Sequence, residues 1–155
     1  GFERSITLPE IGLKETPNRL ATANKGVLTA MTQDVMGILD SLKVCKFMLF
    51  GGLKLNHLAE WYSCITGKMT DAENFMICGE RIFNLKRLFN LKCGINPAIN
   101  DRVPSRILEL PKEAVGWKTK LNPFEEILQE YYSYRGWNSE GYPTKEKLNF
   151  LGLNI

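Results

Sequence analysis

Residues 70–91 read TDAENFMICGERIFNLKRLFNL, and this stretch decides the fold class. It opens on Thr70-Asp71-Ala72-Glu73, a capping-box pattern in which Thr70 and Glu73 satisfy free N–H groups at a helix start. Apolar residues then recur at helical spacing, with Phe75, Ile82, Leu85, Leu88 and Phe89 on one face. The pattern predicts a helix to about Leu91, with Gly94 beyond its end. Nothing in the stretch alternates as a half-buried strand does.

The flanking sequence repeats the theme. Upstream, Thr16 is a capping residue and Pro17 suits the first helical position, where its missing N–H is no loss. Leu20, Val27, Leu28, Met31, Val35, Ile38 and Leu39 continue a helix to about Leu39, which Gly26 and Gly37 weaken without ending. Asp40 to Gly52 reads as a turn carrying Lys43 and Cys45 into an apolar run closed by Gly51-Gly52. A further helix spans Lys54 to Ile65, ended by Gly67 in a left-handed cap. Downstream, residues 95–121, with Pro97, Pro104 and Pro111, form one long irregular connection of the kind that wraps another surface. Asn122-Pro123 starts a helix to about Tyr134, stopped by Gly136, and Pro143-Thr144 starts a short last helix before Gly152. Residues 1–15 are irregular. The expected fold class is all-α: an irregular multi-helix domain with one long Pro-containing loop, residues 1–155 forming a single helical domain.

Composition narrows the function classes. A chain of 155 residues suits one domain or the tail of a larger protein, and 44% apolar with 24% charged content is ordinary for a globular chain. A net charge of +3 gives no electrostatic case for nucleic acid. No run approaches the ~20 apolar residues of a membrane-spanning helix. The chain starts Gly1-Phe2-Glu3-Arg4, without an initiator Met or a signal peptide, which suggests a cytoplasmic product that begins within a longer chain or after processing.

Cys45, Cys64, Cys78 and Cys93 contain no CxxC pair, so a zinc ribbon or a self-contained ferredoxin-type cluster is excluded on spacing. Four reduced thiols are expected, with Cys64, Cys78 and Cys93 packed as small apolar groups. The one histidine, His57, reads as an ordinary helix residue, and a His-rich zinc site is impossible. No phosphate-binding glycine loop occurs. The aromatic cluster Tyr131-Tyr132-Ser133-Tyr134-Arg135-Gly136-Trp137 lacks the basic groove of a nucleic-acid stacking platform and reads as packing.

Three segments carry a resemblance. Asp40-Ser41-Leu42-Lys43-Val44-Cys45-Lys46-Phe47 is similar to a D-x-x-G-L-C motif followed by a Lys/Arg-Phe pair. Gly79 to Asn90 is the second segment, and Tyr131 to Asn138 with Gly141-Tyr142-Pro143-Thr144 and Leu151-Gly152-Leu153 is the third. Ile65-Thr66-Gly67 and the loop Asp101-Arg102-Val103-Pro104-Ser105-Arg106 agree with it. Together these make residues 16–155 resemble the C-terminal third of the tungsten-containing aldehyde:ferredoxin oxidoreductase family.

The resemblance implies a tungstopterin enzyme that oxidises an aldehyde substrate to a carboxylate and passes electrons through a 4Fe–4S cluster to ferredoxin. In that family a β-rich N-terminal part lies under the pterins and helical later domains cover the cofactor. By position in the motif, Cys45 is the fourth cluster ligand, and Asp40 accepts hydrogen bonds from N–H groups of a pterin. Lys43 and Val44 complete the cofactor-binding set, as departures from the family's Gly and Leu. Gly there permits a left-handed turn or a close approach; Lys43 either adopts the turn at some cost or points a positive charge toward the cofactor.

Lys92-Cys93-Gly94 stands where the family has R-E-G, which makes Cys93 incidental. The other three cluster cysteines, a C-x-x-C-x-x-x-C run, are absent. The isolated chain is therefore expected to bind neither tungsten nor cluster, and its partner is the N-terminal part of the same enzyme. No catalytic residue is assigned. Glu80, Arg81, Arg87 and Arg135 are expected to tie helices and the long loop together through charged hydrogen bonds. The alternatives are a non-catalytic helical scaffold or interaction domain, an independently folded domain, and a divergent member acting reductively on a carboxylic or aromatic acid.

Overall fold

The computed structural model describes residues 7–15, 18, 22–108 and 124–153. Seven α-helices follow one another among them: α1 (Lys25–Leu42), α2 (Leu55–Thr66), α3 (Ala72–Lys92), α4 (Pro97–Asn100), α5 (Ser105–Leu108), α6 (Phe124–Arg135) and α7 (Lys145–Phe150). Two 3₁₀ turns, Pro9–Ile11 and Lys46–Leu49, complete the elements. The described residues contain no strand, only isolated bridges at Leu8–Leu13 and Trp137–Pro143, so the all-α expectation holds.

Helix α1 is the centre of the packing, lying against both α3 and α6, while α2 packs on α3. Val35, Ile38 and Leu39 of α1 meet Leu55, Leu58 and Ala59 of α2 and Ala72 and Phe75 of α3 in one apolar core. Tyr62 closes on Phe75 edge to face, at 5.8 Å between ring centroids. Two glycines set how closely the helices cross. A Cβ at Gly26 would lie 2.5 Å from the Tyr131 amide nitrogen, and one at Gly79 would lie 2.5 Å from the Asp34 carbonyl oxygen. Glycine inside a helix costs about 1 kcal/mol relative to alanine. Here it admits backbone against backbone, the reason that α1 tolerates Gly26.

Several boundaries differ from the sequence reading. The helix expected from Pro17 begins at Lys25, and Thr16, Pro17 and Leu20 lie outside the described residues. Asn24 takes a left-handed conformation that interrupts any helix entering from upstream. The carboxylate of Glu130 on α6 then accepts hydrogen bonds from the N–H groups of Asn24 and Gly26, at 2.8 and 2.6 Å. A negative charge suits that helix end. At its other end α1 runs to Leu42, so Asp40 sits in its last turn rather than beyond it.

Helix α3 is capped by Asp71, whose Oδ1 accepts from the Asn74 N–H at 2.8 Å, and not by Thr70, whose own N–H donates to Ser63 Oγ. Leu85 and Phe89, expected inside, are 47% and 66% exposed. The inward positions of α3 include the polar Asn84 and Arg87, which an apolar-periodicity reading passes over. The connection expected to be irregular over 95–121 contains α4 and α5, and Asn96 caps α4 by accepting from the Ala98 N–H; residues 109–123, with the expected helix start at Asn122-Pro123, lie outside the described residues. The stops at Gly67, Gly94, Gly136 and Gly152 are all left-handed, as expected. Thr144 caps α7.

Charged hydrogen bonds join these helices, in agreement with the role expected of the four charged residues. Arg135 is fully buried; it donates to Asp34 Oδ1 at 2.5 Å and to the Ala30 carbonyl and Gln33 Oε1 at 2.9 Å each. Its guanidinium also stands 4.7 Å from the Phe83 ring centroid and 5.3 Å from that of Tyr131. Burial opposes the Arg135 charge, but the Asp34 carboxylate and the Tyr131 hydroxyl outweigh it and hold the guanidinium above its ordinary pKa.

Arg87 pairs with both carboxylate oxygens of Asp101 and donates to the Gly141 carbonyl at 2.9 Å. Tyr132 Oη donates to Asp101 at 2.7 Å. Lys147 of α7 pairs with Glu80 at 2.7 Å, and Arg81 holds the Leu151 carbonyl at 2.8 Å. Trp137 donates its indole N–H to the fully buried Asn84 and stacks under Arg87, so the aromatic cluster is packing. The second and third segments that carry the resemblance, and the loop at Asp101, therefore converge on one another.

Two predictions follow from these pairs. Asp34→Asn leaves Arg135 charged and buried without its counter-ion, and costs about 3–5 kcal/mol in denaturant unfolding. Asp34→Leu combined with Arg135→Met recovers most of that loss; equal destabilisation in the double variant contradicts the reading. Burial of Asp101 tends to raise its pKa, but the hydrogen bonds from Arg87 and Tyr132 and the Arg87 charge hold it below the ordinary value. A depressed carboxyl contributes stability that is present above its unfolded pKa and is lost as pH falls through the folded one. Unfolding free energy should thus decline below about pH 4, and Asp101→Asn should remove part of that decline.

Candidate functional site

The candidate site is the C-terminal end of α1. The Lys43 N–H donates to the Asp40 carbonyl at 3.3 Å and the Val44 N–H to the Leu39 carbonyl at 2.9 Å. With Lys43 left-handed, at φ 58° and ψ 31°, this is a Schellman cap, which satisfies the last free carbonyls of a helix. Val44 turns inward onto the apolar core that contains Leu39, the contact that usually accompanies this cap. The motif spacing thus has a mechanical meaning: Asp40 lies in the last turn of the helix, residue 43 reverses the chain, residue 44 anchors it and Cys45 follows.

The four residues singled out in the sequence are brought to one place, in different roles. Asp40 and Cys45 are exposed, Lys43 is the exposed turn residue and Val44 is the half-buried anchor. Lys43 adopts the left-handed turn, with its side chain exposed. Cys45 is extended, at φ −64° and ψ 121°, and its carbonyl accepts from the Met48 N–H at 3.0 Å to open the 3₁₀ turn. Phe47 and Phe50 stack on that turn, with centroids 6.1 Å apart.

One soft thiol and one carboxylate on a single cap fit one ligand to a metal cluster and one acceptor for a planar N–H edge. They do not make a complete metal site, and among the described residues no group of three or more His, Cys, Asp and Glu side chains comes together. Cys64, Cys78 and Cys93 are exposed, not packed as apolar groups, because they lie on the outer faces of α2 and α3 or just past the end of α3. His57 Nδ1 accepts from the Lys54 N–H at 3.2 Å, a helix-start contact.

An open cleft of about 320 Å³ lies between α4, α6 and the turn at Ser139-Glu140. Two of its polar groups, Asp101 and Tyr132, are already joined to each other and to Arg87. No described helix is long and apolar enough to cross a membrane. Sequence reasoning missed Asp34, Asn84 and Glu130, the buried or bridging partners; only a polar residue recurring on an otherwise inward helix face would have signalled the first two.

Known proteins match most of this chain. Residues 2–153 match the family described as aldehyde ferredoxin oxidoreductase, domains 2 and 3. A tungsten-containing aldehyde ferredoxin oxidoreductase of Pyrococcus furiosus is 38% identical over 121 residues, 78% of this chain and 20% of that protein. The protein of the same name in Thermococcus kodakarensis is 35% identical over 121 residues, again 78% and 20%. Among solved structures, the active-site complex BamBC of benzoyl coenzyme A reductase in complex with 1,5-dienoyl-CoA superposes with a TM-score of 0.69 at 26% identity, over 92% of this chain and 21% of that one. The chain thus spans about a fifth of the length of the curated relatives it matches.

The left-handed lysine yields a test of the cap. A side chain in this conformation costs roughly 1–2 kcal/mol relative to glycine, partly offset by the greater freedom of glycine in the unfolded chain. Lys43→Gly should therefore stabilise the protein by about 0.5–1 kcal/mol. Thermal unfolding measures this, and a loss of stability contradicts the assigned cap.

Proposed function

Because the chain belongs to the aldehyde ferredoxin oxidoreductase family, we propose that it is the C-terminal, helical part of a cytoplasmic tungstopterin iron–sulfur enzyme. That enzyme oxidises aldehydes to carboxylic acids and delivers the electrons to ferredoxin. When bound, the tungsten and its two pterins supply the oxidation chemistry, and the 4Fe–4S cluster supplies the electron relay.

This chain contributes recognition and one ligand. The Cys45 thiolate binds an iron of the cluster, and the two oxygens of Asp40 accept from N–H groups of a pterin edge. Lys43 and Val44 fix the turn that holds the pair. The observation that carries the reading is the cap itself: it leaves the thiol and the carboxylate exposed while Val44 ties the loop to the core. The remaining cluster ligands come from the N-terminal part of the same enzyme, a reading supported by relatives about five times as long as the region they share with this chain. Residues 1–155 act in this reading as one helical domain.

A second reading is favoured by one observation, the likeness over 92% of the chain to a benzoyl coenzyme A reductase complex. It makes the enzyme a divergent member that reduces an aromatic acyl thioester. Assaying the complete enzyme separates the two. The first reading expects aldehyde-dependent reduction of ferredoxin and no turnover of an aromatic acyl-CoA; the reverse pattern selects the second. After anaerobic reconstitution with iron, sulfide and tungsten cofactor, the 155-residue chain alone should retain neither metal and show no turnover. Clear aldehyde oxidation by this chain alone would refute the proposal.

A further inference from the structure

Among the described residues the left-handed positions are seven glycines, Asn24 and Lys43. Asparagine visits this conformation readily, whereas lysine does so at a cost. Lys43 is also exposed, and it makes no side-chain hydrogen bond or ion pair with another described residue. It does not bridge to Asp40, three residues earlier and also exposed. Lys147, by contrast, is held by Glu80. A strained backbone position occupied by an uncommitted cation is an outlier that points to use, and the residue two places on is Cys45.

We infer that Lys43 is a built-in counter-charge for the iron–sulfur cluster that Cys45 ligates, raising the cluster's reduction potential. This rests on the reading of Cys45 as a ligand. One-electron reduction adds one negative charge to the cluster and its thiolates. A nearby cation stabilises the reduced form more than the oxidised form, so the midpoint becomes less negative; cluster charge and surroundings are the levers that set such potentials. Solvent exposure makes the effect modest and sensitive to salt. Lys43 is here a positioning and tuning residue, not a catalytic one.

The test is a potentiometric titration of the complete, anaerobically loaded enzyme, followed by the electron paramagnetic resonance of the reduced cluster. Lys43→Asn removes the charge and keeps a residue suited to the left-handed turn, so the fold is not at risk. Lys43→Arg keeps the charge. The expected result is a midpoint shifted to more negative potential in Lys43→Asn and unshifted in Lys43→Arg, with the gap narrowing as salt is raised. A Lys43→Asn midpoint equal to that of the parent enzyme overturns the inference. Iron content of Cys45→Ala, which removes the ligand atom outright, distinguishes the causes. If that variant loses its cluster while Lys43→Asn leaves the midpoint unmoved, the ligand reading stands and the charge role falls. If it keeps all its iron, both fall.

Discussion

The buried pair of Arg135 and Asp34 is the interaction on which the other contacts depend. A guanidinium cannot shed its charge, and in a dry interior that charge needs a counter-ion and acceptors held close to it. Arg135 is matched by the Asp34 carboxylate, the Ala30 carbonyl and Gln33, all on α1. The last residue of α6 is thereby fixed to the middle of α1. Close to Asp34, Gly79 brings α3 against the α1 backbone, and on the α1 N-terminal side Gly26 does the same for α6. Few alternative packings satisfy these demands together.

That constraint reaches the candidate site through α1. The helix is gripped at its N-terminus by Glu130, in its middle by Arg135 and near its C-terminus by the apolar core. Its final turn and the Schellman cap beyond are therefore held on a rigid rod rather than on a free loop. A ligand that must meet three others from elsewhere in a protein benefits from such support, because misplacement of one donor weakens the whole site. The Arg87–Asp101–Tyr132 group does comparable work, tying α3 and α6 to the residue that caps the end of α4.

What the sequence disclosed and what it withheld divide along the range of the interactions. Glycine stops, the cap of α7 and the motif around Cys45 are local, and each was readable from a few residues. The start of α1 was not, because the groups that satisfy Asn24 and Gly26 lie 106 and 104 residues away on Glu130. The inward face of α3 was misjudged for a related reason. Asn84 and Arg87 are acceptable inside only because Trp137, Asp101 and Gly141, distant in sequence, complete their hydrogen bonds. At the candidate site, the Asp40-to-Cys45 spacing was legible as a motif, but its identity as a helix cap, with lysine in the left-handed position, emerged only from the backbone.

The central claim, that Cys45 alone among the four cysteines serves the cofactor, is tested most directly by alkylation mapped by mass spectrometry. All four thiols are exposed in this chain and should react. In the complete, metal-loaded enzyme Cys45 should become protected, and stripping the iron with a chelator should restore its reactivity. If Cys45 is alkylated in the loaded enzyme as fast as in the isolated chain, it holds no cluster, and the account of this site is wrong.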